Sequence, residues 1–140
     1  MEIPEIKINN RVIKFKLTVG NMIRLKKEIG RNPLDAILKL YNESDQLKDG
    51  NVNTLDIDEE LMFATLYYAS QYDSKQKMTR EKFEQLIQDF LDEEVVTETE
   101  DEIITEYRSI FTDILPIFLE VATQCGYIPK DRKVVKKEKN

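Results

Sequence analysis

Residues 5–17 alternate between apolar and polar around a central Asn9-Asn10, and this pattern constrains the fold more than any other in the chain. Ile6, Ile8, Ile13, Phe15 and Leu17 fall on one face, and Lys7, Lys14 and Lys16 on the other. Asn tolerates the positive φ that a two-residue hairpin turn demands, so with Asn9-Asn10 as the loop, Ile6 opposes Ile13 and Glu5 opposes Lys14. A lone hairpin is marginal in water. Its isoleucine face therefore has to be covered by other elements, and the remainder of the chain reads as helices able to cover it.

Thr18 is placed to cap a first helix over 18–29, with Val19, Met22, Leu25 and Ile29 inward and Gly30 as its stop. Asn32-Pro33 opens a second helix over 33–43, with Asp35 near the positive end of its dipole and Leu34, Ile37, Leu38 and Tyr41 turned inward. Residues 44–57 are polar and contain Asp49-Gly50-Asn51, a loop signal. From 58 to 72 the chain is apolar almost all round, which places that helix at the centre of the fold. Thr79 caps an amphipathic helix over 80–92 with Phe83, Leu86, Ile87, Phe90 and Leu91 on one stripe. Thr97 or Thr99, each with a Glu three residues on, is read as opening a last helix over 99–125, kinked at Pro116. The expected fold is mainly α (α+β): one domain over 1–129 with an N-terminal hairpin and about five packed helices, then a disordered basic tail over 130–140.

Composition narrows the chemistry. There is no histidine, which removes the commonest general base at neutral pH and the commonest metal ligand together. Four glycines in 140 residues leave little room for a phosphate-cradling loop. No apolar run approaches the ~18 residues of a membrane span. No secretory signal is visible, and the single cysteine closes no intrachain disulfide, which points to a reducing cytoplasm. The net charge of −6 is unevenly spread. Residues 1–31 carry eight basic and three acidic groups (+5), residues 32–129 seven and twenty-two (−15), and residues 130–140 six and two (+4). So acidic a body repels phosphate backbones, and nucleic acid is not expected as the main partner.

Each candidate site has a plainer reading beside it. Asp49, Asn51, Asn53 and Glu60 match part of an EF-hand loop, but Thr54 stands where the sharp turn needs Gly and Asp56 where an apolar residue belongs. A solvated turn is the better reading. The acidic run Asp92, Glu93, Glu94, Glu98, Glu100, Asp101 and Glu102 lacks the cleft that separates carboxylate pKa values for catalysis and reads as a solvated junction. Cys125 has no neighbouring base and reads as a small hydrophobe. Tyr67, Tyr68 and Tyr72 read as core or core-rim residues. No catalytic constellation, cofactor site or metal site remains, and the expectation is a protein that is not an enzyme.

Within the expected last helix the apolar positions cover a wedge of roughly 160°. Ile103, Tyr107, Ile110, Ile114, Ile117 and Val121 form one side, and Ile104, Phe111, Leu115 and Phe118 form the other at spacings typical of a packing seam. Either both sides lie in one core, or the second stripe, Ile104, Phe111, Leu115 and Phe118, serves a partner or a second copy of the chain.

The opening over residues 6–37 resembles the start of tail assembly chaperones of long-tailed phages and prophages. In that family a short hairpin runs into a helix whose end resembles Leu25-Lys26-Lys27-Glu28-Ile29-Gly30, and a second helix starts with a step like Pro33-Leu34. The likeness covers residues 5–40 well and the helical remainder in general character. It implies a small cytoplasmic protein of the bacterial host that binds the tape-measure protein, helps recruit tail-tube subunits, and is absent from the finished virion. The family offers no catalytic residues to carry over, and no binding residue is transferred. Two rivals stand beside it: an acidic inhibitor that mimics DNA, supported by the −15 body and opposed by the basic hairpin and tail, and a host protein-binding regulatory module.

Overall fold

A computed structural model describes residues 3–30, 33–46, 58–124 and 134–137, with side chains left out for Leu34, Tyr41 and residues 43–46. The chain begins with an antiparallel hairpin, β1 (Glu5–Ile8) and β2 (Arg11–Lys14). Asn9 and Asn10 have φ of 45° and 64°, the two left-handed residues such a turn requires. The register pairs Ile6 with Ile13 and Glu5 with Lys14, as the alternation predicts. Ile6, Ile8, Ile13, Phe15 and Leu17 are all buried.

Four helices follow: α1 (Val19–Ile29), α2 (Pro33–Gln46), α3 (Glu59–Ser70) and α4 (Arg80–Asp92). Thr18, Asp58 and Thr79 cap α1, α3 and α4 by accepting from the backbone N–H three residues on. Gly30 ends α1 at φ 74°. The low polarity of α3 has its physical counterpart in position, because Leu61, Met62, Ala64, Leu66 and Ala69 are buried between the other elements. Thr65, also buried, satisfies its hydroxyl on the Leu61 carbonyl at 2.7 Å. Phe83 meets Phe15 edge-on at 6.5 Å, so α4 and the hairpin close the core together.

Two inward assignments change. Val19 is exposed at the first turn of α1, and Asn21 takes the buried position instead. Its amide donates to the Tyr68 carbonyl at 2.9 Å, which makes a polar residue acceptable there. In α2, Leu40 joins Ile37 in the core while Leu38 is half-buried.

The larger correction concerns residues 94–124. The expected single helix over 99–125 is replaced by a second antiparallel hairpin, β3 (Glu94–Glu98) and β4 (Ile103–Tyr107), followed by a π-helical turn at Ile110–Ile114 and α5 (Leu115–Gln124). Seven of the eleven residues 95–105 are β-branched (Val95, Val96, Thr97, Thr99, Ile103, Ile104, Thr105), which favours extended backbone over helix. Neither Thr97 nor Thr99 is a helix cap. Thr97 lies in β3, and Thr99 closes the hairpin turn, where its N–H donates to the Glu102 carbonyl at 2.8 Å. The cap is Ser109, whose hydroxyl accepts from the Thr112 N–H while its own N–H donates to Asp113. Pro116 lies inside the helical run that begins at Ile110, directly after the π-helical turn in which the Leu115 N–H donates to the Ile110 carbonyl five residues back, an irregularity of the kind a mid-helix proline imposes. The Asp49 loop, Asn32, Cys125 and most of the tail lie outside the described residues; Val134–Lys137 are exposed and have no regular structure.

Candidate interaction surface

The residues predicted as one stripe do not form one. Phe118 is fully buried and Leu115 nearly so, both on α5 against the core. Phe111 is half-buried in the π-helical turn, and Ile104 lies on β4 as part of another surface. The stripe fails because its spacing assumed helix through residues 103–109, and strand geometry turns Ile104 away from the rest. Ile114, Leu115, Phe118 and Val121 are together a core seam.

What the described structure leaves uncovered is the β3–β4 hairpin. All ten of its strand residues are exposed. By the register, Glu94, Val96, Glu98, Ile103, Thr105 and Tyr107 share one face, and Val95, Thr97, Ile104 and Glu106 the other. Val96, Ile103 and Tyr107 are 58%, 71% and 66% exposed, and Val95 and Ile104 38% each. Among the described residues the sheet has two strands, and the outer edge of each has no sheet neighbour there. From Asp92 to Tyr107 there are eight carboxylates (Asp92, Glu93, Glu94, Glu98, Glu100, Asp101, Glu102, Glu106) and no lysine or arginine. Apolar and acidic side chains are thus intermixed over an element whose hydrogen-bonding edges are open among the described residues.

The foot of this hairpin is held firmly. Arg108 lies 4.1 Å over the Phe90 ring, donates to the Phe90 carbonyl at 3.0 Å and pairs with Glu93 at 3.2 Å. One side chain therefore satisfies a terminal carbonyl of α4 and fixes the exit of β4. Tyr107 donates to Glu94 at 3.1 Å across the first strand pair, and this bond raises the phenol pKa above its ordinary 10.0, with the Glu94 charge adding to it. Beside the foot, Phe63, Ile87, Leu91 and Ile110, with Glu84 and Gln88, line a mostly apolar cleft of about 270 Å³.

The second polar cluster has a structural explanation. Arg80 sits 5.1 Å over the Tyr67 ring and pairs with Glu28 at 3.1 Å, and Tyr68 donates to Glu28 at 3.1 Å. These contacts join α1, α3 and α4. Burial first, and then Glu28, push the Tyr68 phenol pKa up; burial does the same at Tyr72. Tyr67 and Tyr68 are half-buried rim residues rather than a stacking platform. Among the described residues no three His, Cys, Asp or Glu side chains are grouped to hold a metal ion, and no helix is long and apolar enough to cross a membrane.

Sequence reasoning missed the surface although a signal was present. Two β-branched runs flank Thr99-Glu100-Asp101-Glu102, and the period-3.6 match of Ile103, Tyr107 and Ile110 concealed them. Compared with family models, curated proteins and solved structures, the chain matches none.

Proposed function

We propose that this chain is a non-enzymatic binding protein of the tail assembly chaperone type, acting in the bacterial cytoplasm on the tape-measure protein and helping to recruit tail-tube subunits. The observation that carries the reading is the β3–β4 hairpin, which stands off the core with Val96, Ile103 and Tyr107 uncovered between carboxylates. A chaperone for a long client needs apolar surface that the client covers for a time, and charge that keeps the free protein soluble. An open-edged acidic hairpin offers backbone pairing as well as side-chain contact, and the cleft at its foot offers a seat for one apolar side chain of the client. The resemblance of residues 6–37 supports the choice of client, and the exposure of the hairpin supports the choice of surface.

Co-expression with a tape-measure fragment tests this reading. The parent chain should co-purify with the fragment, and a Val96→Lys/Ile103→Lys variant, altered only at exposed positions, should retain its helicity and lose the complex. A folded variant that still captures the fragment removes the hairpin from the interface. If neither chain captures it, but the parent inhibits a nucleic-acid-binding enzyme with steep salt dependence, the acidic DNA-mimic reading takes its place.

A further inference from the structure

We propose that the basic C-terminal segment of this chain docks within its own molecule along the free edge of β3, as a third strand of the outer sheet. The inference rests on reading the β3–β4 hairpin as a docking element, but not on the identity of any client.

Pattern and charge point to this occupant. β3 reads Glu94-Val95-Val96-Thr97-Glu98, and the tail holds Val134-Val135-Lys136-Lys137 within a stretch of net charge +4. In the structure this segment stands free, with Val134 and Val135 69% and 88% exposed, so the docked tail is a second conformation, in which this valine pair meets the uncovered pair of β3 with opposite flanking charge. The match holds in both strand directions. With Val135 beside Val96, Lys137 falls beside Glu94 in an antiparallel arrangement and beside Glu98 in a parallel one. Each arrangement gives an apolar pair next to an opposite-charge pair on the same face, the combination that stabilises neighbouring strands. β4 suits the tail less well, because Ile103–Tyr107 contains a single carboxylate, Glu106.

The tail can reach. The helical run from Ile110 to Gln124 carries the chain about 22 Å from the foot of the hairpin. The nine residues between Gln124 and Val134 can span up to about 30 Å. Tethering makes the docking intramolecular, with an effective concentration that a free basic peptide of the same sequence lacks. The docked tail then covers Val96 and lends lysines to the acidic hairpin, and any partner using that edge must displace it.

Residue-resolved amide hydrogen exchange on the full chain, parent against Lys136→Glu/Lys137→Glu, tests the proposal. Both lysines are exposed and outside the core, so the variant keeps the fold. The outward amides of β3 should exchange about fivefold faster in the variant, the scale of a few cross-strand pairs. Those of β4 should change less, and the difference should be independent of protein concentration and fade in high salt. Equal exchange in both proteins overturns the proposal. So does an effect that grows with concentration, which assigns the tail to a second copy, and so does protection lost on β4 instead of β3. A tail variant with unaltered exchange, beside a Val96→Lys/Ile103→Lys variant that loses the client, leaves the client reading standing and removes this one alone.

Discussion

The chain contains two antiparallel hairpins with opposite fates. β1–β2 presents Ile6, Ile8 and Ile13 to the core and closes its β2 edge with Gln76, whose Oε1 accepts from the Lys14 N–H and whose Nε2 donates to the Lys14 and Ser70 carbonyls. β3–β4 has a similar length and the same antiparallel pairing, yet among the described residues its two faces and its outer edges have no such cover. Both have short strands rich in β-branched residues, so strand propensity does not separate them. What separates them is alternation. The first gathers Ile6, Ile8 and Ile13 on one face, with Arg11 only at its end beside the turn, and Glu5, Lys7 and Lys14 on the other with the exposed Val12, whereas the second places apolar and acidic residues together on each face. A face that mixes carboxylates with Val96 and Ile103 cannot enter a core without desolvating charge, so it stays in water until a partner meets it.

The most forceful way to break this comparison is to place the same substitution in both hairpins. Ile13→Lys puts an unpaired charge at a fully buried position, a change that costs several kcal/mol and should leave the chain largely unfolded at room temperature. Val96→Lys alters an exposed position and should shift stability by no more than about 0.5 kcal/mol. Thermal melts followed by circular dichroism decide the matter; comparable melting temperatures for the two variants would mean that the first hairpin is not built into the core.

A smaller effect tests the covered edge. Gln76→Ala removes three hydrogen bonds and leaves the Lys14 N–H with two carbonyls to satisfy, at a cost of about 2–3 kcal/mol. Chemical denaturation should show the loss, and amide exchange should quicken at Lys14 in particular. A variant as stable as the parent would show that water replaces the side chain there.

Next comes the foot of the open hairpin. Arg108→Ala deletes the stack on Phe90, the bond to its carbonyl and the pair with Glu93, a cluster that keeps Arg108 mostly out of water. A loss of about 1–2 kcal/mol is expected, most of it from the carbonyl bond and the lost packing rather than from the ion pair. Because all ten strand residues of β3–β4 are exposed, exchange should quicken along the hairpin more than in α3. Uniform quickening across the molecule would show that Arg108 serves the core and not the hairpin.

The same contrast explains what could be read in the sequence. The first hairpin was legible to the residue because burial enforces alternation, and Asn9-Asn10 leaves few alternatives for the turn. The first four helices were legible from their stripes, and α1 and α4 from the Thr18 and Thr79 caps as well, with Val19 misplaced because a helix's first turn is often free to face solvent. The open hairpin was not legible, since no core imposes a period on its exposed residues and Ile103, Tyr107 and Ile110 happen to match a helical one. The candidate stripe inherited that error: Leu115 and Phe118 are core, and only Ile104 lies on the surface now considered for binding. Gln76 carried no pattern at all, because its role depends on an edge sixty-two residues away.

The gentlest probe of the comparison is pH, through the Tyr107–Glu94 bond across the first strand pair of the open hairpin. Tyr107 donates to Glu94, and that bond, with the adjacent negative charge, raises the phenol pKa above 10.0 in the folded state. A raised folded value means that this contribution is fully present below the unfolded phenol pKa near 10 and is lost as pH rises through the folded one. The phenol is open to solvent, so the effect on global stability should be slight and should appear first as local loosening between Glu94 and Tyr107. Ring resonances of Tyr107 followed through alkaline pH should give a midpoint above 10 in the parent and one nearer 10 in Glu94→Gln, with Tyr68, whose partner is Glu28, unchanged between the two. An identical Tyr107 midpoint in both proteins would mean that the strands do not hold this bond in solution. The foot of β3–β4 would then be held by the Arg108 cluster without help from the first strand pair.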